Sequence, residues 1–307
     1  MAGGRSSNIT NLRKAGITFV FNEESKIPRE KQYPLIVTQI EEPKPVGIYM
    51  TAGDIGNATL HTEGAAIRFE GIDEAYKTEI TLLTYEKGVS ATKRQMDDDQ
   101  TNTVRNIAQK LIPAMLKTKE QVCADVYNHG FTTTVADAVY MFHDSHPLTN
   151  SAKLNDNLLT GDLSTDNIKA GINQFHLIYD MAGNQFGSKA THLLANTMQQ
   201  FDIFELLNSD KMAWDLTNTI NSLNSAGKLG IILNDYIDHK NKGDTYSPWF
   251  MLDKTLPKAG VVLQTRGGMK QDAQEDFKTK DWQITCLEEY AAADVSPGYG
   301  LVGSLGT

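Results

Sequence analysis

At 307 residues, 40% of them hydrophobic and 22% charged, the chain can bury a substantial core, is too apolar to stay disordered, and has room for two lobes or a lobe with arms. A formal net charge of −9 argues against a basic grip on nucleic acid. The two cysteines, Cys123 and Cys286, lack CxxC spacing and fit a reducing cytoplasm, with a single disulfide between them left open; the opening MAGGRSSNIT lacks the layout of an export signal, and no apolar run nears the eighteen or so residues of a membrane helix.

Residues 1–45 carry extended signals. Ile17 to Phe21 and Tyr33 to Ile40 are β-prone, and Pro28, Pro34, Pro43 and Pro45 bias their neighbours to extended backbone. An arm lying on another surface fits this better than a central strand. Residues 46–85 read as one long hairpin: a strand from Val46 to Thr51, a flexible tip with Gly53, Gly56, Asn57 and Gly64, and a β-prone return from Phe69 to Tyr85. A two-stranded ribbon of this length is marginal alone in water, so it packs on its own sheet or on another subunit.

The stretch 97–130 predicts a long helix. Val104, Ile107, Leu111, Met115, Val122 and Val126 recur at helical steps and lay one apolar stripe along about eight turns. Asp97, Asp98 and Asp99 suit the positive end of the dipole, Gly130 suits a left-handed C′ position, and Pro113 predicts a bend near Gln109. Beyond it, Val135 to Phe142 is short and apolar, and an irregular polar segment follows. Ser164 is placed to cap a helix with Ile168, Ile172, Phe175 and Tyr179 on one face, ended by Gly183 and Gly187. Ala190 to Ala195 reads as a buried strand, and Asn196 or Thr197 caps a helix with Met198, Phe201, Phe204 and Leu207 inward. Four further β-prone runs lie at Leu229 to Ile237, Pro248 to Leu252, Ala259 to Thr265 and Trp282 to Tyr290, before a glycine-rich tail that reads as extended.

No convincing active site emerges. His143, Asp144 and His146 are the best metal-like cluster, and a metal-dependent hydrolase using them is the reading from a different class. Ser145 and Pro147 make the segment a turn without a third ligand at fixed spacing, so a structural role with one imidazole bonded to backbone is expected. Gly53-x-x-Gly56 and Gly267-Gly268 lack the strand and helix context of a phosphate cradle, and no nucleophile motif is present. No catalytic residue, cofactor or metal is expected.

The order of elements, extended arm, long hairpin, strut helix and α/β lobe, resembles the major capsid proteins of tailed bacteriophages. IRFEGIDEAYKTEITLLTYEKGVSATKRQMDDDQ is similar to the family's E-loop return strand and acidic step into the spine helix; FHDSHP and ATHLLANTMQQFDIFELLNSD resemble the approach to the axial domain and its strand and helix. The resemblance implies an α+β fold with an N-terminal arm at 1–44, an E-loop at 45–84, a peripheral domain at 85–160 and 281–307 with spine helix 99–129, and an axial domain at 161–280. It implies a structural protein, not an enzyme, that forms hexamers and pentamers and an icosahedral head around double-stranded DNA held without sequence-specific contacts. Expected partners are a separate scaffolding protein, a portal protein and, optionally, a decoration protein; the expected location is the virion, assembled in the host cytoplasm. Asp54, Asn57, His61, Glu63, Arg68 and Tyr76 are the candidate assembly-interface residues. The tip GDIGNATLHTEGAA has no lysine, the nearest being Lys44 and Lys77, so covalent crosslinking between subunits is not expected. The chain reaches its arm almost at once, so no cleaved scaffolding segment is expected either. The alternative within the same fold is an encapsulin-type nanocompartment shell.

Overall fold

The computed structural model describes residues 30–306 except 53, 59, 65, 68, 70, 72–73, 93, 96–97, 99–102, 212–219, 226–227, 257–259 and 277. The β-prone run Ile17 to Phe21 lies outside the described residues. The first sheet is built on β13 (Trp282–Asp294). Along one edge runs β4 (Leu83–Ala91), antiparallel from Trp282↔Ala91 to Tyr290↔Leu83. The other edge is shared by β12 (Lys270–Glu275) and β11 (Val261–Thr265), and β1 (Thr38–Glu41) adds parallel to β11. The expected extended run at Tyr33 is corrected here: Tyr33–Ile36 is one helical turn, α1, with Pro34 in its first turn, where the missing N–H leaves no bond unmade. Tyr33, Ile36 and Val37 are buried in the main core.

The second sheet is mixed, in the order β7 (Leu158–Leu159), β14 (Leu301–Ser304), β10 (Trp249–Leu252), β8 (His192–Asn196), β9 (Gly230–Asn234). Strand alternation puts Trp249 and Met251 on one face and Phe250 and Leu252 on the other. The first pair packs against Ile168 and Phe175 of α3 (Thr165–His176); the second joins the core shared with the long helix and the first sheet. Ser164 caps α3 as expected, accepting from the Asn167 N–H at 3.3 Å. The helix ends at His176, so Gly183 and Gly187 belong to the turn beyond it, both at positive φ.

The long helix, α2, spans Thr103–Asn128 with Pro113 inside it, and is about 39 Å long. Asp98 does not cap it. The Asp98 N–H donates to the Arg94 carbonyl at 2.9 Å and its carboxylate pairs with Arg94, closing a turn ahead of the helix; Asp97 and Asp99 lie outside the described residues. Gly130 is not left-handed: its N–H returns to the Tyr127 carbonyl at 3.1 Å, and a Cβ there would stand 2.7 Å from the Phe142 ring. The buried stripe also differs from the expected one. Leu111 and Met115 are buried, but the stripe continues through Lys119, Cys123 and Tyr127, leaving Val122 and Val126 half-buried. The side chains of Val104 and Ile107 lie outside the described ones.

Three elements were not legible. β5 (His146–Leu148) and β6 (Ser151–Asn155) pair in the segment that reads as irregular, and β12 has a polar sequence, KQDAQE, in which Ala273 alone is buried. Strand pairing also departs from the expected division at residue 281. β11 and β12 pair into the first sheet with β13, whereas β14 joins the second. Hydrogen-bonded neighbours far apart in sequence decide this, which a local pattern does not record.

Candidate assembly surfaces

The hairpin pairs β2 (Val46–Ala52) with β3 (Glu74–Thr81), from Val46↔Thr81 to Ala52↔Glu74. Its inner face sets Tyr49 and Ile80 on Val262, Ala291 and Val295 of the first sheet. Its outer face leaves Ile48 and Met50 in solvent, and the tip exposes Ile55, Leu60 (98% exposed), Ile67 and Phe69 (91%). Each such side chain forgoes about 1.5–3 kcal/mol of burial. Exposure on this scale marks an interaction surface.

Three of the candidate interface residues hold the hairpin on its own chain. The Asp54 carboxylate accepts the Met181 N–H at 2.9 Å, the Asn57 amide donates to Asn184 Oδ1 at 2.8 Å, and the Tyr76 hydroxyl donates to the Pro147 carbonyl at 2.7 Å. His61 and Glu63 are exposed, and Arg68 lies outside the described residues.

A second apolar surface lies on α4 (Gln200–Asn208). Met198, Phe201 and Phe204 were expected inward with Leu207; Leu207 is buried, but the other three face solvent, Phe201 at 74% exposure, with Ile220 exposed as well. The reason is a change of phase. The Asn196 side chain accepts from the Met198 N–H, a 3₁₀ turn at Thr197–Gln199 intervenes, and the inward stripe becomes Gln199, Ile203 and Leu207. A simple i, i+4 count from Ile203 rather than Phe201 would have found it.

The residues of the histidine cluster are engaged in local hydrogen bonds. His143 Nδ1 accepts the Ser145 N–H at 3.1 Å and Asp144 is exposed, while buried His146 meets Asp137 through Nδ1 (2.5 Å) and Asn157 through Nε2 (3.1 Å). The two rings stand 6.3 Å apart with planes at 84°. Among the described residues no group of three His, Cys, Asp or Glu side chains is placed to hold a metal, and no helix is long and apolar enough to cross a membrane. Near His146, burial pushes the Asp294 carboxyl up to about 6. Cys123 and Cys286 are free and buried, burial raising their thiols to about 12 and about 11, the opposite of a reactive thiolate.

A family model described as phage capsid protein matches residues 75–300. The chain belongs to the phage capsid protein family. No curated protein matches it. Solved structures give the fold: the capsid of cyanophage P-SCSP1u matches with a TM-score of 0.61 at 9% identity over 92% of this chain and 90% of that one. The capsid asymmetric unit of cyanophage Pam1 matches at 0.60 and 14%, covering 90% and 92%. The capsid of a native GTA particle matches at 0.60 and 10%, covering 92% of each chain. Family and fold together are those of the major capsid protein that forms a phage head, and do not favour the encapsulin alternative.

Proposed function

We propose that this phage capsid protein is a purely structural subunit that assembles as hexamers and pentamers into an icosahedral head around double-stranded DNA. The observation that carries the reading is exposed apolar surface in two separate places, the hairpin tip and α4. Two distinct patches on one chain suit heterologous contacts, which close into rings, better than a single self-complementary patch. In this reading residues 45–84 act as an E-loop reaching over a neighbour, with His61, Glu63 and Arg68 at that contact, and residues 1–44 act as an arm. The long helix is the spine of a peripheral domain, and the second sheet with α3 and α4 forms the axial domain. The net charge of −9 suits a coat that does not bind DNA phosphates tightly. A separate scaffolding protein, a portal and an optional decoration protein complete the virion in the host cytoplasm.

The variant F201D/F204D tests it. Both side chains are exposed in the single chain, so its thermal unfolding midpoint should stay within about 2 °C of wild type, since surface changes rarely exceed about 0.5 kcal/mol. Shells should be lost on sedimentation and replaced by subunits or single capsomers. Normal shells would count against α4 as an assembly surface.

A further inference from the structure

The hairpin tip meets its own chain at a point where side-chain oxygens gather. The Asp54 carboxylate accepts the Met181 N–H at 2.9 Å, and the Asn57 amide donates to Asn184 Oδ1 at 2.8 Å. Residues 180–184 form a tight turn opposite the tip. The Asp180 N–H donates to the Asn184 carbonyl at 2.8 Å, the Gly183 N–H returns to the Asp180 carbonyl at 2.9 Å, and Gly183 takes the positive φ of 83° that this path requires. The Asp180 carboxylate accepts the Asn184 N–H at 2.6 Å and the Asn184 side-chain amide at 3.3 Å.

Tyr299 gives this meeting point its second feature. It is only 5% exposed, and its buried hydroxyl has no hydrogen-bond partner among the described residues. A hydroxyl buried in this way is costly and points to a further ligand. Burial raises its pKa, and the charges of Asp54 and then Asp180 raise it further, so the hydroxyl stands in the field of both carboxylates and keeps its proton. Lys153, the nearby cation, is committed elsewhere: its ammonium donates to the Gly183 carbonyl at 2.8 Å and lies 3.9 Å from the Tyr179 ring centroid. Among the described residues neither Asp54 nor Asp180 forms an ion pair.

We propose that Asp54, Asp180 and the Tyr299 hydroxyl form a binding site for one calcium ion, which fastens the hairpin tip to the 180–184 turn. Two carboxylates and neutral oxygens, instead of three acidic groups, make up the site, and all-oxygen donors of this kind select a hard cation. Each carboxylate keeps lone pairs beyond the N–H groups it already accepts. Calcium suits the site better than magnesium, because it takes about six to eight oxygens in flexible geometry from separate segments, whereas magnesium demands a near-ideal octahedron. Bound there, the ion offsets the repulsion between the two carboxylates, and water completes its shell.

Calorimetry with calcium chloride on the full-length, unassembled chain tests this independently of shell formation. A second readout is terbium, which stands in for calcium and emits when a tyrosine beside it is excited. Wild type should bind one calcium ion per chain, calcium should quench the terbium emission by displacement, and magnesium should bind about tenfold more weakly or less. Asp54 is exposed, and an asparagine there can still accept the Met181 N–H, so D54N should keep the wild-type thermal midpoint. Losing one ligand charge, it should bind calcium about tenfold more weakly, and D180N should do the same where it folds. Y299F should lose about half or more of the terbium emission at saturation, as the aromatic group nearest the ion changes. D144N removes an exposed carboxylate elsewhere and should bind as wild type does, which separates a built site from general attraction to a chain of net charge −9. No calcium binding, equal affinity in D54N and wild type, equal losses in D144N and D54N, or unchanged emission in Y299F overturns the proposal.

Discussion

At the scale of single residues, the least expected feature is a charged pair inside the core. Lys119 and Glu288 are both buried and in contact, and the Lys119 ammonium lies 4.9 Å from the Tyr290 ring centroid and 5.7 Å from that of Tyr33. Removing one partner strands the other, so K119M should cost about 3–5 kcal/mol in urea unfolding, and K119M/E288M should recover most of it. The sequence holds the signal: Leu111, Met115, Cys123 and Tyr127 stand four or eight residues apart with Lys119 in register between them, but a lysine does not read as core. Asp294 offers a pH test. Its folded pKa, about 6, lies above the ordinary 3.8, so the fold favours the protonated form; the associated stability is complete below about pH 4 and is lost as pH rises through 6. D294N should therefore be more stable than wild type at pH 8, by an amount on the order of 3 kcal/mol, and close to it at pH 4 in parallel unfolding curves.

Elements meet their limits where packing decides. Phe142 lies between Gly130 and Gly303, each of which would put a Cβ 2.7 Å from its ring. G303A should cost about 1–3 kcal/mol by overpacking, whereas G268A, with nothing within 4 Å, should leave the thermal midpoint unchanged. The hairpin and the long helix were legible because two- and 3.6-residue periods persist over many residues there. α4 was read in the wrong phase because one 3₁₀ turn rotates everything after it, and because Phe201 and Phe204 look like core in any chain considered alone. β12 escaped notice because its stability comes from the ladder Lys270↔Leu287 to Glu275↔Trp282 and not from its own side chains.

For the whole molecule, the order of hairpin, helix and lobe was readable, while the membership of the sheets was not, and residues 33–41, expected in an arm, pack into the chain's own core and first sheet. β13 recruits β4, β11 and β12 from both sides of the lobe, and β14 crosses to the second sheet, so one continuous core unites segments that look separable in sequence. The apolar residues left outside that core are what an assembling subunit keeps for its neighbours. Electron microscopy of the wild-type chain, expressed with the genes beside its own, tests this most directly. The account predicts closed shells of uniform size with hexameric and pentameric units, holding double-stranded DNA when packaging is complete; monodisperse monomers or small oligomers under the same conditions would contradict it.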